Sequence, residues 1–167
     1  MTEWFARVGL PLTTAENAAV GELVRVVAPH SPVAIEAIAS WHEAARFVRM
    51  TAHDSAWWDD EEEERESLWL LAAEIHSEAE LLRELGELTQ GIAEEVRAAA
   101  FAAATAAGIL DAAVAGEAAA MALLAAHQDA LAQAAGAGPD HRFARKYALF
   151  TNGRWPLGYH SARFTVF

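Results

Sequence analysis

Apolar residues recur at helical spacing over most of the chain, in five stretches followed by a tail where the period shortens. The first stretch opens at Thr13-Thr14-Ala15-Glu16. There a threonine hydroxyl and a glutamate three residues on can satisfy each other's backbone N–H groups as a capping box. Val20, Leu23 and Val24 carry this helix to about Ala28. Ser31-Pro32 offers a hydroxyl cap and then a proline where a missing N–H costs nothing. A second helix is therefore expected from Pro32 to about Ala52, with Ala34, Ile38, Trp41, Ala45 and Val48 as its stripe. Asp54-Ser55 predicts a break and a new cap. Leu68, Leu71, Ile75, Ala79, Leu82 and Leu85 share one face and predict a single long helix over residues 59–88. Gly86 and Gly91 around Thr89 suggest a bend or a new start, after which Ile92, Val96, Ala99, Ala103 and Ala107 define a fourth helix ending near Gly108. Asp111 caps a fifth, marked by Val114, Ala118, Met121, Leu124 and Leu131 and stopped by Gly136-Ala137-Gly138-Pro139.

After Asp140 the pattern changes. HRFARKYALF reads as a short helix or as the lead into a strand, and Asn152-Gly153 is a hairpin-type turn pair. Trp155-Pro156-Leu157 and Arg163–Phe167 read as short strands. Phe164 and Val166 alternate with Arg163 and Thr165, as in a half-buried strand. Pro156 confines its strand to a sheet edge. The expected fold is mainly α: one helical bundle of about five helices with a small C-terminal β-hairpin. One domain is expected over 1–167, with the bundle in 1–138 and a basic segment in 139–167.

Composition refines this picture at three points. Between Ala98 and Ala135 there are 21 alanines in 38 residues, punctuated by Phe101, Ile109, Leu110, Met121, Leu123 and Leu124. Such a run suits two helices packed at short interaxial distance. It serves equally within one chain or between two copies, which leaves a homo-oligomer open. The longest stretch free of charge, Ala98 to Leu110, is thirteen residues, short of the roughly 20 that span a bilayer. The leading MTEWFARVGL lacks the basic and apolar parts of a signal peptide, so a cytoplasmic location and no membrane association are expected. The chain has no cysteine, which removes disulfides, thiolate nucleophiles and Cys-ligated zinc. One lysine beside eleven arginines, with abundant alanine, fits a GC-rich bacterial genome.

Charge is strongly segregated. Residues 54–95 hold fifteen acids and only Arg65 and Arg83 as bases, a balance of −13 in a chain whose net charge is −12. Residues 139–167 carry Arg142, Arg145, Lys146, Arg154 and Arg163 against Asp140, a balance of +4. The basic tail is expected to lie against part of the acidic helix, and the remaining acids to form a solvated face or a surface for a basic partner. So acidic a chain repels phosphate backbones, and no nucleic-acid binding is expected. Trp57-Trp58 directly precedes the run; adjacent positions differ by about 100° on a helix, so both cannot enter one core stripe.

The searches for chemistry return little. No Glu-x-x-His, His-x-x-x-His or Gly-x-Ser-x-Gly occurs, and no strand precedes a phosphate-cradling glycine loop. Asp59-Asp60-Glu61-Glu62-Glu63-Glu64 resembles two acidic helix motifs that hold Mg²⁺ against phosphates. These are the aspartate-rich motif of prenyl-diphosphate enzymes and the Glu-x-x-Glu of all-α nucleotide pyrophosphohydrolases. The first belongs to much longer helical chains, and the Glu-x-x-Asp of the second is missing here. The leading expectation is therefore a non-enzymatic acidic binding protein without a cofactor, an immunity- or antitoxin-type module that masks a basic protein partner. Trp57, Trp58, Asp59, Asp60, Glu61, Glu62, Glu63 and Glu64 would form its contact. The alternative is a Mg²⁺- or Mn²⁺-dependent hydrolase of phosphorylated small molecules, its ligands drawn from Asp60, Glu61, Glu64, His76, Glu80 and Glu95.

Overall fold

A computed structural model describes residues 2–51 and 55–167. In chain order the elements are α1 (Thr14–Val27), β1 (Ala34–Ala37), α2 (Trp41–Thr51), α3 (Ser55–Ile75), α4 (Glu78–Ala106), α5 (Ala112–Ala134), α6 (Arg142–Thr151), β2 (Pro156–His160) and β3 (Arg163–Val166). The protein is mainly helical, with a small sheet built largely from its C-terminus. The expected caps form: Thr13 and Glu16 make the capping box of α1, and the Asp111 side chain accepts from the Ala113 N–H at the head of α5.

Four expectations are corrected. Residues from Ala34 to Ala37 are a strand, not the first turn of a helix, and α2 starts only at Trp41. β1 runs parallel to β3, with Ala34 donating to Ala162 and Ile38 to Val166. Tertiary hydrogen bonds thus claim a Val-Ala-Ile segment whose spacing also fits a helix. The helix starts instead at Ser40, whose hydroxyl accepts from Glu43 N–H. The helix expected over 59–88 is two, because Ser77 and Glu80 form a second capping box and start α4 afresh. Gly86 and Gly91 cause no break; both lie inside α4, where a Cβ at either would meet nothing within 4 Å. Asn152-Gly153 ends α6, and the hairpin turns at Ser161-Ala162, both at positive φ. The break expected at Asp54 lies outside the described residues.

The strand order is β1-β3-β2, with β2 antiparallel to β3 and Pro156 on the edge as expected. Alanine is the close-packing surface between α4 and α5. Ala100 and Ala104 on one and Ala115, Ala118, Ala119, Ala122 and Ala125 on the other are buried together. The same cluster takes in Trp4, Phe5, Trp41, Trp155 and Phe167. The segment before α1 is tied down by the turn after α6, where Gly153 sits at φ 89° and a Cβ would come 2.8 Å from the Glu3 carbonyl. Next to it Arg154, 1% exposed, donates to the carbonyls of Arg7, Leu10 and Pro11 and to both carboxylate oxygens of Glu16.

That clamp has a testable energetics. Replacing Arg154 by methionine leaves Glu16 without its main partner and three carbonyls without a donor. Loss of one member of a buried pair costs about 3 kcal/mol. The Arg154 guanidinium, with Arg7 and the Thr13 groups, holds the Glu16 carboxyl well below the usual carboxylate range against the opposing effect of burial. The unfolded chain therefore takes up a proton at Glu16 before the folded one does. This part of the stability is complete at neutral pH and is lost as pH falls below about 4.5. Urea midpoints at neutral pH and at about pH 3.5 should converge in Arg154→Met relative to the unmodified protein.

Candidate functional site

The acidic run lies on α3, and its two sides have different surroundings. Trp57, Glu61, Glu64, Leu68 and Ala72 recur every three or four residues and form the seam facing the rest of the molecule. Trp57 is buried edge-on against Phe164, its indole nitrogen lying where a side chain at Gly158 would project. The Arg142 guanidinium stacks 5.3 Å from the Trp57 ring centroid. Glu61 is buried on Lys146, whose Nζ reaches both carboxylate oxygens at 2.8 and 2.7 Å. Gln128 of α5 closes the group, accepting from Lys146 at 3.3 Å and donating to Glu61 at 3.2 Å. Burial pushes the Lys146 ammonium down from its ordinary pKa, and the Glu61 charge opposes that shift.

One turn further on, Glu64 meets His141 at 2.9 Å. His141 Nδ1 accepts from the Phe143 N–H at the head of α6, so its Nε2 carries the proton that is donated to Glu64. Asp60 lies 3.9 Å from Arg142. The basic segment thus packs on the inner side of the acidic helix and uses Asp60, Glu61 and Glu64 to do so. Glu61 and Trp57, both expected at a contact surface, are interior in this fold because Lys146 and the sheet claim them. Trp58 is half-buried, as the angular offset between neighbours requires.

The outer side is different. Asp59, Glu62, Glu63, Glu66 and Glu74 are exposed. Among them only Glu62 has an ion pair among the described residues, with Arg65 of its own helix. Beside these acids Leu70 is 68% exposed, Leu71 50% and Ile75 62%, and Leu82 on α4 is 59% exposed. Of the stripe expected over residues 59–88, Leu68 and Leu85 are buried, whereas Leu71 and Ile75 near the end of α3 and Leu82 on α4 face solvent. A groove of about 530 Å³ runs between Trp69 and Leu70 of α3, Leu82 of α4 and His127 of α5, with Arg65 and Glu66 at its edge.

The six residues considered for a divalent metal are dispersed. Glu80 caps α4, and Glu95 accepts from the Trp4 indole at 3.0 Å. His76 lines a separate cavity with Leu81 and Glu84. Among the described residues no group of three or more His, Asp or Glu is placed to hold a metal ion. Gln128 and Asp129 are functional-looking residues that pattern reading passed over. Both are buried, and the Asp129 carboxyl is raised by burial, with Oδ1 unpartnered among the described residues. The available signal was a Gln-Asp pair inside an otherwise alanine-rich helix. No known protein family, curated protein or solved structure matches this chain.

The Glu61–Lys146 pair is checked by a double-mutant comparison. Lys146→Met alone strands a buried carboxylate and should cost about 3–5 kcal/mol in urea unfolding. Lys146→Met with Glu61→Leu should recover part of that loss, since the apolar pair carries no charge to desolvate while the buried Gln128 amide loses both partners. Adding Gln128→Leu should recover most of the remainder.

Proposed function

We propose that this protein is a non-enzymatic binding module that masks a basic, amphipathic segment of a protein partner, in the manner of an immunity protein or antitoxin. The contact is the outer side of α3, centred on Asp59, Glu62 and Glu63, and the apolar groove beside it. The observation that carries this reading is the juxtaposition of exposed carboxylates, of which Glu62 is paired only within its own helix, with large exposed aliphatic side chains. Single exposed leucines are ordinary, whereas a run of them along one helix and into a groove marks an interaction surface. A helix with apolar residues at i and i+3 or i+4 and arginines or lysines on its flank satisfies both halves of that surface. Carboxylates on the rim speed encounter with such a partner and select against acidic ones. No helix among the described residues is long and apolar enough to cross a membrane, so the leucines are not read as a bilayer span.

The test is capture from native cells by tagged protein at low and high ionic strength, alongside Glu62→Lys with Glu63→Lys and, separately, Leu70→Asp with Leu82→Asp. A stoichiometric basic protein should be retained at low salt. It should be lost at high salt, and each double variant should weaken its binding by at least tenfold while leaving the circular dichroism spectrum unchanged. A partner bound equally by all three proteins, or a protein that emerges alone at low salt, overturns the reading.

A further inference from the structure

The cleft between α2 and the sheet supports a second site, independent of the acidic face. Phe164 and Val166 of β3 point into the cluster beneath α1, so Arg163 and Thr165 face the other way. The parallel register sets Thr165 beside Glu36 of β1. A cavity of about 430 Å³ lies between these residues and Arg46, Phe47 and Met50 of α2, with Ile38 at its side. That size is within the range of small-molecule sites.

Two observations separate this cavity from an ordinary surface dimple. Thr165 lines it, is 1% exposed, and its hydroxyl finds no hydrogen-bond partner among the described residues. Burying an unpaired hydroxyl costs stability that a valine of the same shape would not lose. Arg46 lines the same cavity and makes no hydrogen bond or ion pair among the described residues. The acids nearby are already engaged. Glu43 accepts from the Ala39 N–H and the Ser40 hydroxyl at the head of α2, and Glu36 lies 3.5 Å from Arg163. Arg46 lies near enough to Glu43, which also lines the cavity, to help hold that carboxyl down. No carboxylate among the described residues is hydrogen-bonded to it, and it stands beside an apolar wall made by Ile38, Phe47 and Met50.

We propose that this cleft binds a small organic acid, its carboxylate on Arg46, its apolar body on Ile38, Phe47 and Met50, and a polar group on the Thr165 hydroxyl. The guanidinium supplies a planar two-pronged donor that suits a carboxylate. The unpaired hydroxyl supplies orientation, at a cost that the empty protein carries and the ligand removes.

Para-hydroxyphenylacetate, phenylacetate, octanoate and the neutral amide of para-hydroxyphenylacetate are the probes, titrated into the isotope-labelled full chain and followed by amide chemical shifts. At least one acid should shift Ile38, Arg46, Phe47 and Thr165 saturably below about 10 mM. The amide should bind about tenfold more weakly than its acid, the factor expected for losing one charge-assisted contact. Arg46→Gln should weaken the acid about tenfold as well. Thr165→Val should raise the thermal midpoint and weaken the hydroxylated acid more than phenylacetate, which a merely structural threonine would not do. The proposal is overturned by no saturable shift with any acid, by shifts confined elsewhere, by unchanged binding in either variant, or by a Thr165→Val protein that is less stable.

Discussion

A lysine ammonium with no access to water must sit on a carboxylate, and Lys146 sits on Glu61. That requirement fixes the rotation of α3 about its own axis more firmly than its leucines do. With Glu61 turned inward, the residues in line with it follow: Trp57, one turn before, goes under the sheet, and Leu68 and Ala72, two and three turns on, go onto α5. Everything about 180° away is turned out. The acids at 59, 62, 63 and 66 and the leucine at 70 are therefore exposed together, as a consequence of one buried pair. Gln128 binds both partners, so α5 is locked to the same register.

The C-terminal segment does similar work elsewhere. Arg154 collects three carbonyls and Glu16, while Trp155 and Phe167 exchange backbone hydrogen bonds and fill the aromatic centre with Trp41 and Phe5. β3, the central strand, is paired on one side by its hairpin partner and on the other by β1. Its two faces then differ in kind. Phe164 and Val166 complete a core, while Thr165 and Arg163 border a cleft with a hydroxyl and charges that the fold itself leaves partly unmatched. The molecule thus presents an acidic and apolar helix face on one element and a small mixed cleft on another, and the two involve separate residues.

Much of the local structure is legible in the sequence. The Thr13–Glu16 and Asp111 caps, the alanine contact between helices, the C-terminal hairpin and the edge position of Pro156 all follow from short-range rules. The segregation of acids and bases also foretold that the tail would lie on the acidic helix. The misses have two sources: the Ser77–Glu80 capping box that divides residues 59–88 is a short-range signal hidden by the leucine stripe, whereas others are non-local. Residues 34–37 fit a helical stripe, and only the distant strand β3 made them extended. Leu71, Ile75 and Leu82 fit one stripe with Leu68 and Leu85, yet only the last two are buried, and the stripe is divided between α3 and α4. A buried charge pair between residues far apart in the chain outweighs hydrophobic periodicity, and no window of local pattern contains it. Gln128 was overlooked for the same reason, since its partners lie on two other helices.

What the sequence determined by itself was the caps that start α1 and α5, which pair of helices approaches closely through alanine, and that negative charge would be left over after the basic tail was used. Capping, alanine content and charge balance act over a few residues or over the whole chain, and neither scale needs a fold to be read. The tertiary structure decided which carboxylates are spent and which remain, that one tryptophan of an adjacent pair is interior, and that a threonine hydroxyl and an arginine share a cleft. Those outcomes depend on which side of each element meets a neighbour, and that is set by non-local pairing, chiefly Lys146 with Glu61 and β1 with β3.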